Sequence, residues 1–368
     1  MLAPMYTLVD RAELEDFGIR YDTEIDRSRI SLAPLARLSD ARAAAVNFRH
    51  RMLSGKRVRY YQTFNLVRVP YPTRYGLLNA VQGVSPLMHI LNRLTVVQFD
   101  SPAGLKTLLF SPSDIDANAE TPFFKNFKHR APTFFQPFFE RLMAPRYASV
   151  ASALASVNIL PEQVDYISYD HLHTQDIRQW LGSGDQPGFF PNAKLLVMEE
   201  EWRSTEALLP PQSYWYCPHG IEGVHPHRIV MLENTAILGD GIALVKTPGH
   251  TEGNHSLVVH TDEGLLVSSE NGVSADNFAP EHSNISGVRA YARATGQEVI
   301  LNGNTLERGL DQYISMIVEK TIAGPSVRNG NFFNVVPSSE LQSFWLFPGL
   351  APSFSFGELK YGNPVCRS

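Results

Sequence analysis

Residues 164–176 read VDYISYDHLHTQD, a short apolar run that ends in two histidines two positions apart. The run has the β-branched and aromatic content of a buried strand. Side chains at i and i+2 share one face of an extended chain, so His171 and His173 can aim both imidazoles into one cleft at the strand's end. Residues 241–250, GIALVKTPGH, bring His250 to the end of a second apolar run, and residues 264–270, GLLVSSE, bring Glu270 to the end of a third. Three neutral nitrogen donors and one carboxylate suit Zn²⁺ or Fe²⁺ and are too rich in nitrogen for Mg²⁺ or Ca²⁺. Singly, each histidine reads as a hydrogen-bonded strand-end residue. Together, the four predict a catalytic metal.

Outward from this stretch the chain alternates element types. SVASALASVNI is helical by pattern, AKLLVME and HSLVVHT are strands, ISGVRAYARATG is a helix and EVILNG a last strand. Strands alternating with helices and hairpins predict a layered α/β core over residues 85–305. Residues 1–84 read as an N-terminal extension, with a helix capped by Ser39 and ending near Gly55, then the strand RYYQTFNLVRVPYP. DSPAG is the turn of a hairpin. Within residues 121–150 seven of the 21 phenylalanines fall between Phe123 and Phe139, an insertion that reads as core packing, a substrate wall or a subunit interface. Residues 306–368 form an aromatic-rich C-terminal extension that either closes over the cleft or makes a homodimer contact.

Composition excludes several classes. At 368 residues, 43% hydrophobic and 19% charged, the chain is neither disordered nor collagen-like nor a coiled coil. A net charge of -5 argues against nucleic acid as partner. Two cysteines, Cys217 and Cys366, make neither a disulfide framework nor a four-thiolate zinc site. No apolar run reaches membrane-spanning length and the first residues carry no basic stretch before an apolar one, so the expectation is a cytoplasmic protein that does not enter the membrane. Nine of the 12 histidines lie between His171 and His282. Of these, His219, His225 and His227 fall in the loop CPHGIEGVHPHR and read as surface or substrate-facing residues. His255 and His260 have odd spacing, face opposite sides and read as structural. Cys217 has no neighbour in sequence that would make it a thiolate nucleophile.

The order DYISYDHLHTQD, FPNAKLLVMEEEW, VKTPGHTEGNHSLVV, GLLVSSENGV and EVILNGNT resembles the metallo-β-lactamase fold superfamily, closest to its lactonase-like hydrolase branch. The resemblance covers residues 85–305 and implies a four-layer αββα sandwich. It carries His171, His173 and His250 onto the three histidines of the family's first metal site. Glu270 stands where the family has a metal-bridging Asp. The pattern then departs: Gln175 replaces an Asp, Asp176 a His, and Asn304 the His of the last turn, while Asn254 stands where lactonase-like members often have a His. A second site made of Asp176, Asn304 and Glu270 would be oxygen-rich, which leaves one zinc ion expected, a second open, and iron as the alternative.

The activity that this resemblance implies is hydrolysis by a metal-activated water. Gln175 has no basic site to take a proton, so Asp170, Asp176 and Glu270 are the candidate supporting carboxylates. Asp170 has a second reading as the partner of a ligand imidazole, and Asp176 as an acid in the first turn of the IRQWLG helix. Trp202 reads as packing. The aromatic content points to a small apolar or aromatic substrate, with a lactone or ester first and hydrolytic dehalogenation of an aromatic ring beside it. The competing readings are a mononuclear iron dioxygenase-like enzyme and a non-catalytic binding or assembly protein on the same fold.

Overall fold

The structure, a computed structural model, describes residues 14–15, 17–129, 142–304 and 307–367. Phe134, Phe135, Phe138 and Phe139 of the phenylalanine-rich insertion lie outside the described residues. Along the chain the strands are β1 (Arg20–Tyr21), β2 (Tyr60–Pro72), β3 (Leu87–Ser101), β4 (Gly104–Phe110), β5 (Tyr166–Ser168), β6 (Lys194–Met198) and β7 (Ile229–Leu232). They continue with β8 (Ala236–Gly239), β9 (Ile242–Lys246), β10 (His255–Thr261), β11 (Gly264–Ser268), β12 (Ser339–Gln342) and β13 (Lys360–Gly362). The helices that matter below are α1 (Pro34–Ser54), α2 (Val150–Ser156), α3 (Arg178–Leu181), α4 (Glu199–Glu206), α5 (Val288–Thr295) and α6 (Gly309–Ala323).

Two sheets result. One runs β1-β8-β9-β10-β11; the other runs β13-β2-β3-β4-β5-β6-β7, with β12 added alongside β3. The alternation of side chains along each strand builds the layers. Leu244, Leu257 and Leu266 of the first sheet meet Val97, Leu196 and Val230 of the second in an inner core. Their neighbours Ala243, Val258 and Leu265 face outward onto Phe48 of α1 and Ile317 of α6. On the far side Leu195 and Val197 turn to Leu154 of α2 and to Trp202. Because successive residues of a strand point to opposite faces, each strand feeds two cores, and the order of layers is helix, sheet, sheet, helix.

The outer segments are woven into these layers. Residues 1–84, read as an extension, supply α1 and the long strand β2, which pairs with β3 from Tyr60 to Pro72 around a bulge between Asn65 and Val67. Residues 306–368 supply α6, β12 and β13. Strand pairing of β12 and β13 ties the aromatic tail to the sheet, where Phe344 stacks on His89 at 3.9 Å and Phe354 on Phe332 at 5.5 Å. Two sequence expectations are corrected. The first long helix begins at Pro34, with Ser39 inside it, because a proline preset near helical φ starts a helix well. Residues 298–304 are not a strand: the Ile300, Asn302 and Gly303 N–H groups donate to the Asn277, Asn271 and Tyr75 carbonyls of three separate segments, not to a ladder. Among the described residues no helix is long and apolar enough to cross a membrane.

Candidate metal centre

Two residues past β5 the chain delivers His171 and His173, and the turn between β9 and β10 delivers His250 to the same place. Their rings fan edge to face, with centroids 4.7 Å apart for His171 and His173, 4.6 Å for His171 and His250, and 5.1 Å for His173 and His250. All three are buried, and one nitrogen of each lies within 4.8 Å of the other two. His171 Nδ1 donates to Asp170 Oδ1 at 3.1 Å and His250 Nδ1 to the Asn302 carbonyl at 3.3 Å. Such bonds fix the tautomer and leave Nε2 as the lone-pair donor. His173 Nε2 is buried with no hydrogen-bond partner in the structure. A cluster of buried imidazoles held in this way fits a divalent ion of zinc type.

Burial and the neighbouring rings push His173 well below the usual imidazole range and His250 down to about 3, so both are neutral donors at pH 7. His171 moves the other way. Burial lowers it, but the carboxylates of Asp170, Glu270 and Glu201 together outweigh burial and raise it to about 9. A cation bound there has to displace that proton, which makes affinity pH-dependent.

The remaining candidates divide. Glu270 joins Asp170 and His171 in a second group of ligand atoms within 4.8 Å of one another. Burial pushes the Glu270 carboxyl up to about 7. Asn304 Nδ2 stands 3.5 Å from His173 Nδ1. Asp176 joins neither group: its carboxylate is bound by the Arg178 guanidinium and accepts the Arg178 N–H at 3.0 Å at the start of α3, in keeping with the second of its two sequence readings. Gln175 Oε1 accepts from Asn118 Nδ2 at 3.1 Å and Ser113 Oγ at 3.3 Å.

The glycines of TPGHTEGN are required by close packing. A Cβ on Gly249, whose φ is +148°, would lie 2.2 Å from Gln312 Cα, and one on Gly253 would lie 2.1 Å from Glu201 N. Glu201 itself is a functional residue that sequence reasoning missed. Its buried carboxylate accepts from Leu172 N at 2.7 Å, Thr251 Oγ1 at 2.6 Å and Gly253 N at 3.3 Å, clamping the His171–His173 segment to the His250 turn. The signal available was its position in MEEEW directly after a buried strand. Thr174 is held at φ +62°, unfavourable for a β-branched residue, by a bond from its N–H to the Trp215 carbonyl.

Other tempting residues stay outside. His219 is exposed and pairs with Glu222 at 2.6 Å, and His225 stacks on His227. Burial pushes the Cys217 thiol up to about 11, the wrong direction for a nucleophile. Trp202 is fully buried packing.

His171 and His173 line a cavity of about 780 Å³ whose walls include Tyr71, Ile90, Phe123, Phe124, Met143 and Trp215. Four layers, with His-x-His after one sheet's strand and Pro-Gly-His at the facing sheet's edge, decide the architecture. The arrangement resembles the metallo-β-lactamase fold. No family model matches the sequence, and no curated protein does. Among solved structures the chain is similar to AidC, a dizinc quorum-quenching lactonase, at 10% identity and TM-score 0.49, covering 85% of this chain and 97% of that one. A quorum-quenching N-acyl homoserine lactone lactonase shares 16% identity at TM-score 0.43, covering 68% and 93%. The hydrolase AbOPH of the beta lactamase superfamily shares 16% at TM-score 0.44, covering 84% and 99%. The assignment of the fold rests on the layers and the site order described above.

Proposed function

We propose that the protein is a metal-dependent hydrolase of a neutral, largely apolar carbonyl compound, a lactone or ester in the first place. The observation that carries this reading is the buried trio His171, His173 and His250, with two Nδ1 atoms already engaged and with His171 and His173 lining the cavity. An ion held there supplies Lewis acidity and lowers the pKa of water to about 7. Asp170 keeps the His171 ring oriented. The nearness of its carboxylate to His171 supports Glu270 as the group that takes the proton of the attacking water and returns it to the leaving oxygen. Gln175, an amide already receiving two hydrogen bonds, has no such capacity.

The cavity's charge supports a neutral substrate. Asp116, Glu120, Asp170 and Glu270 line it, and among its described lining residues Arg146 is the single Lys or Arg, paired with Asp116 at 2.6 Å. A phosphodiester would meet an acidic wall with no free cationic clamp. Phe123 stacked on Trp215 at 4.6 Å offers a flat apolar face to an acyl or aromatic group.

The test is elemental analysis of purified protein together with turnover of a lactone, an aryl ester, a phosphodiester and a halogenated aromatic. Bound zinc, and lactone or ester turnover lost to a chelator and restored by zinc, is the expected result. Turnover that ignores the chelator overturns the reading, and halide release without ester cleavage transfers it to dehalogenation.

A further inference from the structure

Helix α6 lies in the C-terminal segment, outside the stretch that carries the motifs, yet one polar stripe on it reaches under the metal centre. Gln312, Ser315 and Glu319 recur at i, i+3 and i+7 and therefore share a face. Gln312 Nε2 donates to the Asn302 carbonyl at 2.7 Å and to the Asn271 carbonyl at 3.0 Å. That Asn302 carbonyl is the same atom that receives His250 Nδ1. Ser315 Oγ donates to the Pro248 carbonyl at 2.7 Å, one residue from the glycine that lies against Gln312. Glu319 Oε1 accepts from Asn271 Nδ2 at 2.6 Å, and Asn271 Oδ1 accepts the His250 N–H at 3.2 Å. Gln312 and Glu319 are both fully buried.

The stripe thus meets the His250 turn from below by two routes, one to the ring and one to the backbone. A carbonyl held from its far side keeps its lone pair aimed at His250 Nδ1. Released, it lets the ring rotate and Nε2 wander from the other two imidazoles. Packing alone does not require amide and carboxylate groups here. The contacts of the opposite face of α6, such as Ile314 and Ile317, are apolar. Buried polar groups are costly unless hydrogen-bonded, and the bonds of Gln312 Nε2 and Glu319 Oε1 include those to Asn302 and Asn271, the two residues that hold His250.

We propose that α6 is a positioning element for the metal centre, with Gln312 and Glu319 as positioning residues that set the orientation of His250. The inference rests on the metal reading above. Partners of this kind are worth 10–100-fold in metal affinity when removed.

The experiment uses the full chain and reads zinc affinity by competition with a chromogenic chelator, the absorption spectrum of the cobalt-substituted protein, and folding by circular dichroism. Gln312→Met and Glu319→Leu are expected to fold and to bind zinc ~10–100-fold more weakly, with an altered cobalt spectrum. Glu319→Gln retains an acceptor for Asn271 and is expected to restore most of the affinity; it also serves if the leucine variant does not fold. Ile317→Ala, on the same helix, is expected to lose stability with unchanged affinity and spectrum. Wild-type affinity and spectrum in Gln312→Met, or an equal loss in Ile317→Ala, overturns the inference while leaving the metal reading intact. A wild-type protein that binds no zinc overturns the metal reading itself.

Discussion

The halves of the site on either side of His173 are built in opposite ways. Toward His171 and His250, each ring has its second nitrogen engaged by a group on protein, and the backbone carrying it is braced by Glu201 or by Asn271. Toward Gln175 and Asp176, the side chains that would complete a second ion site are spent elsewhere, on Ser113, Asn118 and Arg178. The difference teaches that the second site is not merely short of imidazoles. Its carboxylate has been given a guanidinium in place of a cation, so one half of the pocket is preorganised for metal and the other is wired into α3.

The strongest way to break that contrast is to remove ligands from the braced half. His171→Ala and His250→Ala are each expected to abolish bound zinc and turnover, an effect beyond the 10–100-fold that a mere partner of a ligand is worth. Metal analysis and chelator-sensitive turnover read it. Retained metal in either variant would remove the three-imidazole centre from consideration.

Next in size is the clamp. Glu201→Leu leaves the Leu172 and Gly253 N–H groups and the Thr251 hydroxyl buried without an acceptor, each costing roughly 1–3 kcal/mol. A loss of about 4 kcal/mol in denaturant unfolding is the expected outcome, with zinc affinity falling beside it. If stability falls and zinc affinity does not, Glu201 braces the fold and not the ligands.

The contrast also marks what was legible in the sequence. The strands could be read because a sheet buried between two cores writes a continuous apolar run, such as Leu195, Leu196 and Val197. His171, His173 and His250 could be read because ligands at strand ends sit in short local motifs. Glu201, Asn271, Gln312 and Glu319 could not, since they act by hydrogen bonds to backbone far away in sequence, and no spacing records those. The helix expected to begin after Ser39 began at Pro34, and EVILNG, apolar enough for a strand, is a coil whose amides donate to three separate segments. Asp176 carried two readings, ligand and first-turn acid, and a local contact favours the second. A carboxylate two residues before an arginine, capping that arginine's own N–H, satisfies itself without a metal.

Below the braced half, Glu319 gives a pH test. Burial raises its carboxyl to about 7 from an ordinary 4.5, against the hydrogen bonds of Asn271, Ser256 and Ser269 and the charge of Arg29. A raised acid is stabilising in its protonated form, so its contribution is full below pH 4.5 and is lost as pH climbs through 7. Over that window wild type should lose about 3 kcal/mol relative to Glu319→Gln, at about 1.4 kcal/mol per pH unit. Parallel unfolding curves for the two proteins from pH 4.5 to 8 would show the carboxyl to be unperturbed.

The smallest effect belongs to the rewired half and bears most directly on its reading. Asp176 is buried, but the Arg178 side chain is 38% exposed, and solvent screening keeps such a pair to about 1 kcal/mol. Asp176→Asn keeps an oxygen for the Arg178 N–H and is expected to cost no more than about 1 kcal/mol in stability, with zinc content and zinc affinity unchanged. Were Asp176 a ligand, the same substitution would replace a charged donor by a weak neutral one, and the metal content would fall at unchanged stability. Measuring both quantities on one preparation separates the two, because the ion pair moves only the first and coordination only the second.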